Sequence, residues 1–165
     1  MPDLLPVLHD ARELALGRGL AVLTTWALAN LLISGYLLPR TDRRLPAFYF
    51  HGMNAVWGSI NAGLAAWGVL HLQRHAPAGL TLATALTEQF GLEKTFLFNA
   101  GLDVAYVLAG CWLVARAAVP GAAQPQRLLG FGQALWVQGG FLLAFDGLMW
   151  AVLRSYTTAL LGLLP

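Results

Sequence analysis

Two carboxylates, Asp103 and Asp146, lie within long apolar stretches of this 165-residue chain. An ionised carboxylate in hydrocarbon costs about 3 kcal/mol on insertion scales unless a proton, a partner or an ion relieves it. Proton binding, cation binding and acid–base work are the chemistries open to such a pair. Other polar residues accompany it. Asn99, Asp103 and Tyr106 follow one helical stripe at i, i+4 and i+7. Asn54, Trp57 and Asn61 form a similar stripe at i, i+3 and i+7, and Trp26 and Asn30 share a face four residues apart. No Lys or Arg falls among these residues. Ionising both aspartates together is therefore unfavourable. The alternatives are a shared proton, hydrogen bonds from Asn30, Asn61, Tyr106 or an indole, or a bound cation.

The elements that must position these groups are read from composition and apolar length. The chain is 58% hydrophobic and 11% charged, whereas soluble domains carry about 25% charged residues. Lipid is the solvent that suits it. Four apolar blocks, 19–38, 47–72, 95–117 and 128–153, each approach or exceed the roughly 20 residues needed to cross hydrocarbon. The expectation is an all-α integral membrane protein, an antiparallel four-helix bundle in a single membrane domain over 1–165. Residues 2–17 mix leucines with Asp3, Asp10, Arg12 and Glu13, which predicts a short interfacial helix before the first span. The first apolar block is too long for a signal peptide, and no cleavage site follows it.

Depth counting then brings the polar residues together. Asp103 and Asp146 each fall about 12 Å from the membrane face that carries the termini, and Asn30 and Asn61 about 16 Å. One layer holding Asp103, Asp146, Asn30, Asn61, Tyr106 and Asn99 is expected, with Gln133 and Gln138 pointing elsewhere or sitting nearer the opposite membrane face. Taken singly, the amides serve as interhelical fasteners, worth about 0.6 kcal/mol each. A carboxylate is a costlier fastener, so the aspartates are the candidates for ion or proton binding. Trp26, Trp57, Asn54, Gln138 and Trp150 are candidates to line a pocket for a flat hydrophobic ligand or lipid tail, although aromatic packing explains the tryptophans more simply. Small residues at four-residue spacing, Ala55, Ser59 and Gly63 or Gly101, Ala105 and Ala109, would permit close helix approach.

Other classes find little support. A formal net charge of +2, with no basic run, argues against nucleic acid. The single cysteine, Cys111, excludes an intrachain disulfide or a CxxC pair. His51 and His71 are about 30 Å apart on one helix, which separates them too far for a shared haem. His71, His75 and Glu88 or Glu93 could approach a metal but follow no ligand motif. No cofactor or metal is expected, and no nucleophile arrangement marks an enzyme.

The strings FHGMNAVWGSIN (50–61), FNAGLDVAYVLAG (98–110) and GFGQALWVQGGFLLAFDG (130–147) resemble those of small bacterial four-span membrane proteins with no established activity. The resemblance implies the architecture and carries over no functional residue. The leading expectation is a small proton or cation transporter or channel in a bacterial inner membrane, self-associating as a dimer. The alternative is a lipid-binding or membrane-complex assembly module whose polar layer only fixes helix register. Lys and Arg divide five against five between the two faces, so dual insertion stays open, and the compact Arg40, Arg43 and Arg44 cluster tilts the positive-inside rule towards a cytoplasmic loop and periplasmic termini.

Overall fold

The computed structural model describes residues 4–74 and 79–164. Four helices follow one another: α1 (Leu4–Leu37), α2 (Pro46–Arg74), α3 (Leu82–Ala117) and α4 (Pro125–Leu161). A 3-10 turn over Leu38–Arg40 closes α1. Among the described residues there is no strand. Pro46 and Pro125 open α2 and α4 in the first turn, where a missing N–H costs nothing. Thr81 caps α3, accepting from the Thr84 backbone while the Thr84 side chain answers the Thr81 N–H.

Three stretches are long and apolar enough to cross a membrane: Leu4–Arg40, Leu82–Ala117 and Pro125–Leu161. Such helices suit a membrane-associated protein. α2 has the length but is diluted by His51, Asn54, Ser59, Asn61 and its glycines. The N-terminal interfacial element is not a separate helix. It forms the first turns of α1, which runs unbroken for 34 residues. Gly17 and Gly19 together disfavour helix by only about 2 kcal/mol, and packing holds the junction, since Gly19 faces Met149 of α4.

α4 is the element shared by the other three, and its apolar and polar buried residues run its whole length. α1 pairs antiparallel with α2, with Gly58 set against Ala27, Asn30 and Leu31. α3 pairs antiparallel with α4 at a close crossing: a Cβ on Gly110 would lie 2.8 Å from the Gly132 carbonyl oxygen, and one on Gly132 would lie 2.9 Å from that of Gly110. Only glycine permits this approach. The small residues expected to serve that purpose face outward instead. Ser59, Gly63, Gly101, Ala105 and Ala109 are exposed. The apolar centre is thin, with Leu23, Ala65 and Leu142 at its core and Trp57, Phe141 and Phe145 against them.

Candidate functional site

The expected single polar layer divides into two groups, both anchored on α4. The first surrounds Gln138, which is fully buried. Its Nε2 donates to Asn30 Oδ1 at 2.8 Å and to Asn54 Oδ1 at 2.5 Å. Its Oε1 accepts from Trp26 Nε1 at 3.0 Å. The two asparagines turn their own Nδ2 atoms back to main-chain carbonyls, Asn30 to Trp26 and Asn54 to Phe50. One side chain from α4 thus joins α1 and α2. Trp26 also stacks on Phe141, with ring centroids 4.0 Å apart. Three of the residues put forward for a ligand pocket, Trp26, Asn54 and Gln138, therefore satisfy one another. Trp57 packs edge-on to Tyr106 across α2 and α3, and Trp150 is half-buried apart from the cluster.

Gln138 lies nearer the opposite face than the acids, eight residues or about 12 Å from Asp146, and Asn30 leaves the acid layer to join it. The register explains why. Gly19 lies against Met149, and that antiparallel register carries Asn30 to Gln138. Counting from the ends of the apolar blocks misplaces α1 against α4 by about one turn, or 6 Å, because neither helix stops where its apolar block stops.

The second group is the pair of acids. Asp103 of α3 and Asp146 of α4 are both buried, 3% and 6% exposed, and their carboxyls lie close enough to interact. Asp103 also lies at the close crossing, its carbonyl oxygen 3.2 Å from where a Cβ on Gly139 would stand. Asn61 of α2, 1% exposed, belongs to the same level. The Trp57–Tyr106 ring contact, centroids 5.0 Å apart, reaches from α2 to α3 and relates their levels. Asn61 is one turn beyond Trp57, and Asp103 is one turn before Tyr106. Because the two helices run in opposite directions, those steps lead the same way. Asn61 Nδ2, a donor, and Asp103 Oδ2, an acceptor, are buried, and neither has a hydrogen-bond partner among the described residues. Asn99 is half-buried one turn before Asp103.

A third polar region, at the end of the bundle carrying the chain termini, was not foreseen. Arg12, 3% exposed, pairs with Glu13 at 2.9 Å and with Glu88 of α3 at 3.0 Å, and donates to His9 Nδ1 at 3.1 Å. Beside it, Glu93 accepts from Thr157 and pairs with Arg154 at 3.4 Å, while Gln89 Nε2 donates to the Leu153 carbonyl at 2.5 Å. Tyr156 ties α4 to the Ala11 carbonyl. The available signal was the stripe Ala85, Gln89 and Glu93 at four-residue spacing, hidden because these turns precede the apolar block. Among the described residues, no group of three His, Cys, Asp or Glu could hold a metal ion. The His75 of the conceivable metal set lies outside the described residues.

Residues 22–147 match the model of a family of unknown function, DUF6992. That stretch is most of the chain and includes all the residues of both central polar groups, so the chain belongs to this family. No curated protein and no solved structure matches it.

Proposed function

We propose that this DUF6992 member is a four-span membrane protein in which the Asp103–Asp146 pair binds and passes a proton or a small cation. The observation that carries this reading is the burial of two interacting carboxyls on neighbouring helices. A proton shared between two such carboxyls relieves their repulsion. With no Lys or Arg nearby, the pair holds positive charge from outside the protein or faces like-charge repulsion in a medium of low dielectric. Intramembrane acids that face the bundle interior belong by default to ion or proton pathways.

Charged residues bracket the apolar windows. Arg18 and Arg40 flank that of α1, Lys94 and Arg116 that of α3, and Arg127 and Arg154 that of α4. These windows are about 33–40 Å long, which fits a hydrocarbon core and its interfaces. α2 runs alongside α1 and α4 within the same thickness and is read as the fourth span. Its Asn54 and Asn61 face protein, and that burial offsets its lower hydropathy. In this orientation the Arg40, Arg43 and Arg44 cluster faces the cytoplasm.

The test is ion flux into liposomes containing the purified protein. Asp103→Asn and Asp146→Asn should each lower the flux by about a hundredfold or more, the usual contribution of a proton-transferring group. Flux retained in both variants removes the acids from the mechanism. A second reading, a lipid-binding or assembly module, is favoured by one observation, the complete pairing of the Gln138 cluster. A lipid that co-purifies in stoichiometric amount, with no flux, supports that reading instead.

A further inference from the structure

We infer that the cargo of the acid pair is a proton carried with water, and that Asn61 holds the water which links α2 to Asp103. This rests on the proton-or-cation reading above and chooses between its two branches. The choice comes from donors and acceptors. Asn61 Nδ2 is a buried donor without a partner, and Asp103 Oδ2 is a buried acceptor that no N–H or hydroxyl of the described residues reaches. The Trp57–Tyr106 contact sets them on one level of the bundle.

A water molecule matches both ends, because it accepts from an amide N–H and donates to a carboxylate. A metal cation matches only one. It would meet the amide hydrogens of Asn61 as like charge, and hard cations take about six or more oxygens, whereas two carboxyls and one amide oxygen are what this level offers. A water joined to Asp103 also gives a proton bound at that carboxyl a path away from the pair. On protonation of the water, the O–H bond formed is balanced by the O–H bond released at Asp103, and the carboxylate keeps the electron pair. Unpartnered buried amide and carboxyl atoms each cost about 1–3 kcal/mol, so a bridging water also stabilises the bundle.

The experiment has a transport arm and a spectroscopic arm. In liposomes, flux driven by a pH gradient should be equal when the bulk cation is Na+, K+ or N-methylglucamine. A rate that requires Na+ or K+ overturns the inference. Asn61→Leu should slow proton flux by about tenfold, the factor that one buried hydrogen bond is worth, while Asn61→Ser, which keeps a donor and leaves room for water, should retain most of it. Unchanged flux in Asn61→Leu overturns the role of Asn61. In the wild-type protein, assigned against Asp103→Asn, the protonated carboxyl C=O band should shift promptly when H2O is replaced by D2O. A band that does not exchange excludes water at Asp103 and overturns the inference whether or not flux is observed. This arm needs no variant of α2, so a misfolded Asn61→Leu does not affect it. Prompt exchange with no flux would sustain the water and reject only the transport reading.

Discussion

The Gln138 cluster and the Asp103–Asp146 pair sit on the same helix about 12 Å apart, and they differ in how completely their polar atoms are matched. At Gln138 both amide hydrogens and the amide oxygen have partners from α1 and α2, and the asparagines close on main-chain carbonyls. At the acid pair, two buried atoms of the same layer lack ordinary partners. Complete pairing of neutral groups gives a fixed register and no reason to exchange anything. Incomplete pairing around acids leaves a place for a proton or a water to enter and leave. The first arrangement fastens the bundle, and the second has the makings of a site.

If this contrast is right, substitutions at the two places should separate stability from activity. The largest effect belongs to the acids. Asp103→Asn and Asp146→Asn should lower flux by the hundredfold or more given above, yet change unfolding free energy by no more than about 1 kcal/mol, because an amide replaces a costly charge and still bonds the remaining carboxyl. Thermal unfolding in detergent checks the second half. A severe loss of stability in either variant would place the acids with Gln138 as fasteners.

Gln138→Leu should behave in the opposite way. It strands Asn30 Oδ1, Asn54 Oδ1 and the Trp26 indole N–H in a buried layer, and a loss of about 2–3 kcal/mol is expected from one or two unmet groups. Flux per folded molecule should stay near that of the wild type. Flux lost in proportion to neither stability nor yield would join the two groups into one pathway. Next in size are the partners. Asn30→Ala and Asn54→Ala should each cost about 0.6–1.7 kcal/mol, the range for hydrogen bonds between membrane helices. Each should cost less in a Gln138→Leu background, since the donor is already gone. A double-mutant cycle measures that coupling, and strictly additive costs would break the assignment of Gln138 as the common donor.

Element type and number were legible from apolar length and charged flanks, because both follow from composition over twenty-residue windows. The acid pair was legible for a related reason: Asp103 and Asp146 are conspicuous in such windows, and they converge as their depths imply. What misled was helix register. Asn30 was counted into the acid layer because the first apolar block begins at 19, whereas α1 begins at Leu4 and meets α4 through Gly19 and Met149. Close helix approach was assigned to stripes of small residues by spacing alone, but Gly101, Ala105 and Ala109 are exposed, while Gly110, one position past that stripe, makes the contact. Spacing identifies a face, and only the neighbouring helix decides which face is covered.

The polar end of the bundle extends the comparison to charge, and the smallest effect is expected there. Arg12 is as buried as Asp103, yet it has Glu13, Glu88 and His9 around it. Glu88 itself is half exposed, with half of its side-chain surface open to solvent. An ion pair with one exposed partner is worth at most about 1 kcal/mol and is screened by salt. Glu88→Gln should therefore lower stability by less than about 1 kcal/mol, with the difference shrinking as ionic strength rises, because Glu13 still pairs with Arg12 and the amide oxygen can still accept. Arg12→Met is the informative contrast, since it leaves Glu13 as an unmatched acid at the end of α1 and removes the link to α3. A larger loss for Glu88→Gln than for Arg12→Met would mean that Glu88, not Arg12, organises this end of the bundle. Unfolding measured at low and high salt distinguishes the two.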